Sequence, residues 1–322
     1  MTPDVVICEC FARDGLQHES LLVPSELKIE LIEQFAAAGF RRVEATSYSN
    51  PKVVPQFADA SAVMHGIERK PGITYKATCA NPRAVLRALE DLSAGAGATE
   101  ISLLVSASES HSHRNLARSR EQQWDNVTEM VALADRKFRL AGTISVAFGC
   151  PFEGVVSPQS ILKDVERFAS LGVNMVMLAD TTGVATPAAV KAMFGYVLRH
   201  VPEVAPIAHF HDSRGTGLVN YVAALEAGAT YFDSAFGGVG GHPSKVKYGG
   251  GYTGNVSTED WVNLLESMGV RTGIDTVAMM EISARCEAVL GRPLNSKVRL
   301  SGLNPLAILP QSDNGAHVVQ AG

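Results

Sequence analysis

Cysteine is scarce in this 322-residue chain. The five present, Cys8, Cys10, Cys79, Cys150 and Cys286, are odd in number and scattered, and none forms a C-x-x-C pair. That excludes a disulfide-framed scaffold and fits a reducing compartment; all five are expected as small buried hydrophobes. No apolar run reaches the roughly 18 residues that a membrane helix needs. Neither sign of charge dominates: 28 Lys and Arg stand against 33 Asp and Glu, for a net charge of −5. Nothing electrostatic therefore calls for nucleic acid or an anionic membrane as partner. The opening residues, MTPDVVICEC, lack a basic region and a cleavage-like site, so no signal or transit peptide is expected and a cytoplasmic location is. Apolar residues, by contrast, make up 46% of the chain, enough for a large buried core.

Short β-branched runs recur at 5–10, 41–47, 73–79, 99–106, 143–150, 174–180, 205–212 and 230–238, and read as strands. Segments of helical periodicity lie between them. One has Ser25 as a candidate cap and Gly39 as a stop; Pro158 and Pro187 each follow a Ser or Thr, at the first helical position, where a missing N–H costs nothing. Eight strands, each followed by a helix or long loop, predict an α/β fold, a TIM (β/α)8 barrel, with a doubly wound open sheet as the alternative. Residues 1–290 are expected to form the barrel with C-terminal helices, and 291–322 an irregular tail.

Chemistry in such a barrel collects where strands end. Those ends carry Arg13 and Asp14, Glu44, SASESHSHRN, FGCPFEG, Asp180, HFHD and a glycine-rich stretch at 237–254. His209 and His211 stand one residue apart. On a strand both rings face the same way and can share a metal ion, although one buried and one surface histidine would give the same spacing. Two histidines, a carboxylate and amide oxygens suit Mg²⁺ or Mn²⁺, with Zn²⁺ a poorer match. The second H-x-H, His111 and His113, lies among serines and charges and reads as a solvated or substrate-facing loop. The 237–254 stretch matches neither G-x-G-x-x-G nor a P-loop, and reads as an active-site lid.

Taken in order, RDGLQHE, VEATSYSNPKVVPQ, SASE, FGCPFEG, ADTTGVATP, HFHD and GNVSTED resemble the 3-hydroxy-3-methylglutaryl-CoA lyase family, within the wider group of barrel metallolyases and Claisen-type synthases. The resemblance covers about residues 4–290. It implies a metal site at the C-terminal face of the strands, with Asp14, His209, His211 and Asn255 as ligands and Glu9, Glu44 and Asp180 behind them. It implies that Arg13 stabilises enolate charge. Gln17, Ser47, Lys245 and Lys247 are the candidate substrate contacts. Two departures stand out. The lid cysteine of the family's GLGGCP is replaced in GVGGHP by His242, and Ser20 stands where a lysine is usual.

The implied reaction is retro-Claisen cleavage of a 3-hydroxy-3-methylglutaryl-CoA-like thioester to acetyl-CoA and a keto acid. His209 or Asp14 would take the hydroxyl proton, and His242 would return a proton to the enolate carbon or only shape the pocket. The small-molecule partner is an acyl-CoA, and a homodimer is the expected assembly. The alternatives are a lyase for a related acyl-CoA such as citramalyl-CoA, a synthase or aldolase using a keto acid, and a non-catalytic relative.

Overall fold

A computed structural model describes residues 3–241 and 254–306. Eight parallel strands close into a barrel in chain order: β1 (Val6–Glu9), β2 (Arg42–Ser47), β3 (Thr74–Cys79), β4 (Glu100–Ser106), β5 (Arg139–Ser145), β6 (Met175–Asp180), β7 (Ala205–Phe210) and β8 (Tyr231–Ser234). β1 closes the ring against β8, with Cys8 opposite Asp233. The fold is the TIM barrel that the strand–helix alternation predicts. Helices cover it because their apolar stripes need the outer face of the sheet. Phe35 stacks on Phe236 at 5.2 Å, and Trp261 packs against Tyr221 and Phe232 at 5.1 Å each. Each such ring contributes roughly 1.5–3 kcal/mol by leaving water. No helix among the described residues is long and apolar enough to cross a membrane. All five cysteines are buried and free.

The barrel interior is divided. Ala141, Met175, Met177 and Ile207, from β5, β6 and β7, form a small apolar cluster of their own. The other side is ionic. Arg42 of β2 reaches Glu100 of β4 at 2.6 Å and Asp233 of β8 at 2.9 Å, and Lys76 of β3 lies between Glu44 of β2 and Asp233. Side chains from strands that are not neighbours can meet only inside the ring.

Several boundaries differ from expectation. β5 is Arg139–Ser145, not 143–150: the chain turns out of the sheet at Val146, whose φ is +53°, so the apolar run crosses the strand's end instead of lying within it. β7 stops at Phe210, and His211 forms an isolated bridge with Asn255. β8 stops at Ser234, and Phe236–Gly238 is a tight turn. Ser25 is the first residue of its helix and donates to Asp59 instead of capping. Ser157 and Thr186 do cap theirs, with Pro158 and Pro187 next in line. The stretch containing His111 and His113 is a helix, Glu109–Leu116, capped by Ser108, and not a loop. His111 is buried, with Nδ1 2.9 Å from Ser106 Oγ, while His113 pairs with Glu109 at the surface. Within the stretch expected to be irregular, Lys297–Ser301 forms a short helix whose start is held by the Asp260 carboxylate.

Candidate active site

The site begins just past β1. Phe11–Gly15 forms one wide helical turn that brings Arg13 and Asp14 to the barrel mouth. Arg13 NH1 donates to Asp14 Oδ1 at 2.9 Å, and NH2 is ion-paired with Glu44 Oε2 at 2.8 Å. Its Nε is buried and has no hydrogen-bond partner among the described residues. Across the mouth, His209 is the last but one residue of β7 and His211 follows the strand. Their ring centroids lie 5.4 Å apart, and their Nε2 atoms stand 4.0 and 3.9 Å from Asp14 Oδ2. Asn255 donates through Nδ2 to Asp14 Oδ2 at 2.6 Å and to the Val239 carbonyl at 2.9 Å. That leaves Asn255 Oδ1 buried and without a hydrogen-bond partner among the described residues.

Ligand atoms of Asp14, His209 and His211 lie within 4.8 Å of one another. A divalent ion with nitrogen and oxygen ligands at about 2.0–2.2 Å fits separations of this order. An orphaned amide oxygen beside them is what such an ion would satisfy, because a buried polar atom without a partner is costly. A second trio, Cys8, Cys10 and Asp233, is equally close. It suits a metal less well, because Arg42 and Lys76 already hold the Asp233 oxygens.

The charges behind the mouth follow from their neighbours. Burial alone would raise the Asp14 carboxyl, but Arg13, His209, His211 and the Asn255 amide hold it well below the usual carboxylate range. Burial likewise opposes ionisation of Glu44, and Arg13 and Lys76 outweigh it. Thr78 Oγ1 adds a hydrogen bond to Glu44 at 2.7 Å. Glu9 has no cation at hand among the described residues, and burial pushes it up to about 8. It accepts from the backbone N–H of Phe11 and Phe236 and from Thr258 Oγ1, so it ties the turn after β1 to the turn after β8. Asp180 is pushed up to about 6 by burial, against the Val184 and Ala185 N–H groups that it accepts from at 2.9 Å. Its side chain organises its own loop, while its carbonyl accepts from the His211 N–H at 3.3 Å.

Gln17 accepts from Arg13 NH1 at 3.3 Å. Ser47 is buried, with its hydroxyl against Ser49 Oγ at 2.7 Å. His242, Lys245, Lys247 and most of the expected lid fall outside the described residues. Sequence reasoning did not single out Lys76, Asp233, Arg42 or Glu100, nor His18, whose ring meets the Gly241 backbone at the start of the glycine-rich stretch. A lysine inside the strand-like ITYKATC was the available signal.

A family model described as HMGL-like matches residues 4–285. The chain is 37% identical over 301 residues to the cytoplasmic 3-hydroxy-3-methylglutaryl-CoA lyase of Mus musculus, covering 93% of this chain and 85% of the mouse protein. It is 39% identical over 297 residues to the mitochondrial hydroxymethylglutaryl-CoA lyase of Rattus norvegicus, covering 91% and 88%. Among solved structures it is similar to an HMG-CoA lyase from Acinetobacter baumannii in complex with coenzyme A and 3-methylmalate. There the TM-score is 0.87 and the identity 39%, over 94% of this chain and 96% of that one. A hydroxymethylglutaryl-CoA lyase from Pseudomonas aeruginosa gives a TM-score of 0.86 at 34% identity, over 93% and 97%.

Proposed function

This chain belongs to the HMGL-like family and is a carbon–carbon lyase, and on that footing we propose that it cleaves a 3-hydroxy-3-methylglutaryl-CoA-like thioester to acetyl-CoA and a keto acid. Asp14, His209, His211 and Asn255 would hold a divalent ion, Mg²⁺ or Mn²⁺. The observation that carries the reading is the convergence of three ligand groups on one point beside the orphaned Asn255 Oδ1. When bound, such an ion lowers the pKa of a substrate hydroxyl and fixes the substrate oxygens.

The chain's own residues supply the rest. Two groups can take the hydroxyl proton. Asp14 is committed to Arg13 and Asn255 and is a weak base. His209 is the alternative: Nδ1 stands 3.6 Å from the Asp233 carboxylate, and Nε2 could take the proton only while it is not held by the ion;. As the C2–C3 bond breaks, charge develops on the thioester oxygen. Arg13 would meet it, with Nε, which has no hydrogen-bond partner among the described residues, as a free donor;. His242, in place of the family's lid cysteine, returns a proton to the enolate carbon, since imidazole titrates near neutral pH. Gln17, Ser47, Lys245 and Lys247 are assigned to the acyl-CoA. The coenzyme A and 3-methylmalate bound by the Acinetobacter relative support a pocket for a CoA thioester with a short carboxylate-bearing acyl group. The same reading has the chain act in the cytoplasm, in line with the mouse relative's location, and as a homodimer.

The test is a panel of 3-hydroxyacyl-CoA thioesters, the citramalyl thioester included, incubated with Mg²⁺ or Mn²⁺, with the keto product identified by mass. Release of acetyl-CoA from the hydroxymethylglutaryl thioester is expected. Release of free CoA from added acetyl-CoA, and only when a keto acid is present, would replace the reading with a condensing enzyme.

A further inference from the structure

Lys76 is fully buried in β3, with Nζ 3.2 Å from Glu44 Oε1 and 3.3 Å from Asp233 Oδ2. Each of those carboxylates leads on to the mouth. Glu44 Oε2 holds Arg13 NH2 at 2.8 Å, and Asp233 Oδ2 faces His209 Nδ1 at 3.6 Å. One ammonium therefore stands behind both Arg13 and His209, a single carboxylate removed from each.

An ammonium is a compact charge with three donors, and can serve carboxylates that approach from two strands. Arg42 cannot take its place, because its guanidinium is spread between Glu100 and the other oxygen of Asp233. Without Lys76, two fully buried carboxylates would face each other in a medium that screens poorly. The remainder of the interior, Ala141, Met175, Met177 and Ile207, is an apolar filling in the same barrel. The ionic residues instead stand behind the side chains that do the chemistry.

We propose that Lys76 is a positioning residue for the reaction: by bridging Glu44 and Asp233 it fixes Arg13, which meets the enolate, and His209, which meets the metal, in one geometry. This rests on the metal-dependent lyase reading above. It predicts that loss of the Lys76 charge is felt at the metal, which Lys76 does not touch.

The test compares the full-length wild type with Lys76→Met, which is similar in length and uncharged. Mn²⁺ affinity is measured by calorimetry without substrate, kcat and KM on the thioester that the wild type cleaves, and thermal stability by circular dichroism. In Lys76→Met, Mn²⁺ affinity is expected to fall about 10- to 100-fold, the range seen when a group orienting a metal ligand is lost. Turnover should fall at least about tenfold with KM changed less than about threefold. A lower Tm with wild-type Mn²⁺ affinity and kcat at 25 °C assigns Lys76 to stability alone and overturns the proposal. If Lys76→Met does not fold, Lys76→Gln, which keeps N–H donors without the charge, is measured instead, and wild-type values in it overturn the proposal equally. Failure of both variants to fold assigns Lys76 a purely structural role. A wild type that binds no Mn²⁺ removes the metal reading itself, and the proposal with it.

Discussion

Gly240 passes so close to Asn255 that a β-carbon on it would lie 2.4 Å from Asn255 Nδ2 and 3.0 Å from the Asp14 carbonyl oxygen. Its φ of +112° is also one that side chains rarely adopt;. The backbone here lies directly on two of the proposed ligands. Gly240→Ala is expected to weaken Mn²⁺ binding by about tenfold or more, since ligand placement is disturbed. Calorimetry on the variant checks it, and unchanged affinity would show that Asn255 is free to move. Gly195 is the control. It sits in the helix Pro187–His200 with nothing within 4 Å of a built β-carbon, and Gly195→Ala should stabilise the chain by about 0.5–1 kcal/mol, read as a rise in Tm.

Metal removal should abolish turnover. Treatment with a chelator is expected to leave a folded, inactive protein, with activity returning on addition of Mn²⁺ or Mg²⁺. His209→Ala should lose bound metal and activity together. Elemental analysis of the purified variant, alongside its rate, is the check, and a variant that retains stoichiometric metal would remove His209 from the ligand set.

Arg13→Lys keeps a charge and loses the planar fork that spans Asp14 and Glu44;. Turnover should fall about 10²-fold, the scale of losing one donor to a developing oxyanion. Mn²⁺ affinity should change far less. Steady-state kinetics at saturating metal separate the two, and a wild-type rate would leave the enolate charge to some other group.

His242 is tested by two substitutions. His242→Ala should slow turnover and leave metal binding intact, and His242→Cys should restore activity or move preference toward the hydroxymethylglutaryl thioester. If His242 only shapes the pocket, His242→Ala should raise KM and keep kcat. Full activity of His242→Ala on every thioester would demand a different proton donor.

Glu9 gives a pH dependence. Burial pushes its carboxyl up to about 8 from the ordinary 4.5. The unfolded chain releases that proton first, so between about pH 4.5 and 8 the folded state binds more protons, and this group's contribution to stability falls as pH rises. Glu9→Gln removes that loss while keeping an acceptor for Phe11 and Phe236. It is expected to gain on the wild type through this window, by an amount on the order of a few kcal/mol at pH 8. Denaturant titrations at pH 5 and pH 8 measure the difference; a gain that does not grow with pH would mean that Glu9 is ionised throughout.

The barrel was legible because its period is simple: apolar run, helix, apolar run, with Pro158 and Pro187 marking helix starts. The polar residues at strand ends were legible for the same reason, since strand direction fixes which end is the mouth. β5 was misplaced because Val146 and Ala147 prolong its apolar pattern past the turn. The helix containing His111 was missed because seven polar residues in a row, Glu109 to Asn115, conceal the side on which His111 is buried against Ser106 of β4. Lys76 and Asp233 could not be connected by reading along the chain. They lie 157 positions apart and meet only because the ring closes.

That ionic half of the barrel also bears on how the chain folds. Arg42 reaches Asp233 across 191 positions of sequence, a contact order that makes late assembly the rule. Until β8 docks beside β1, the guanidinium of Arg42 and the ammonium of Lys76 share an interior that lacks one of its balancing carboxylates. Half-closed barrels are therefore penalised in proportion to how dry they are, and closure and neutralisation occur in the same step. A nascent chain released only as far as the residue after β7 would hold His209 and His211 but neither Asp233 nor Asn255. The reactive mouth cannot form ahead of the finished ring.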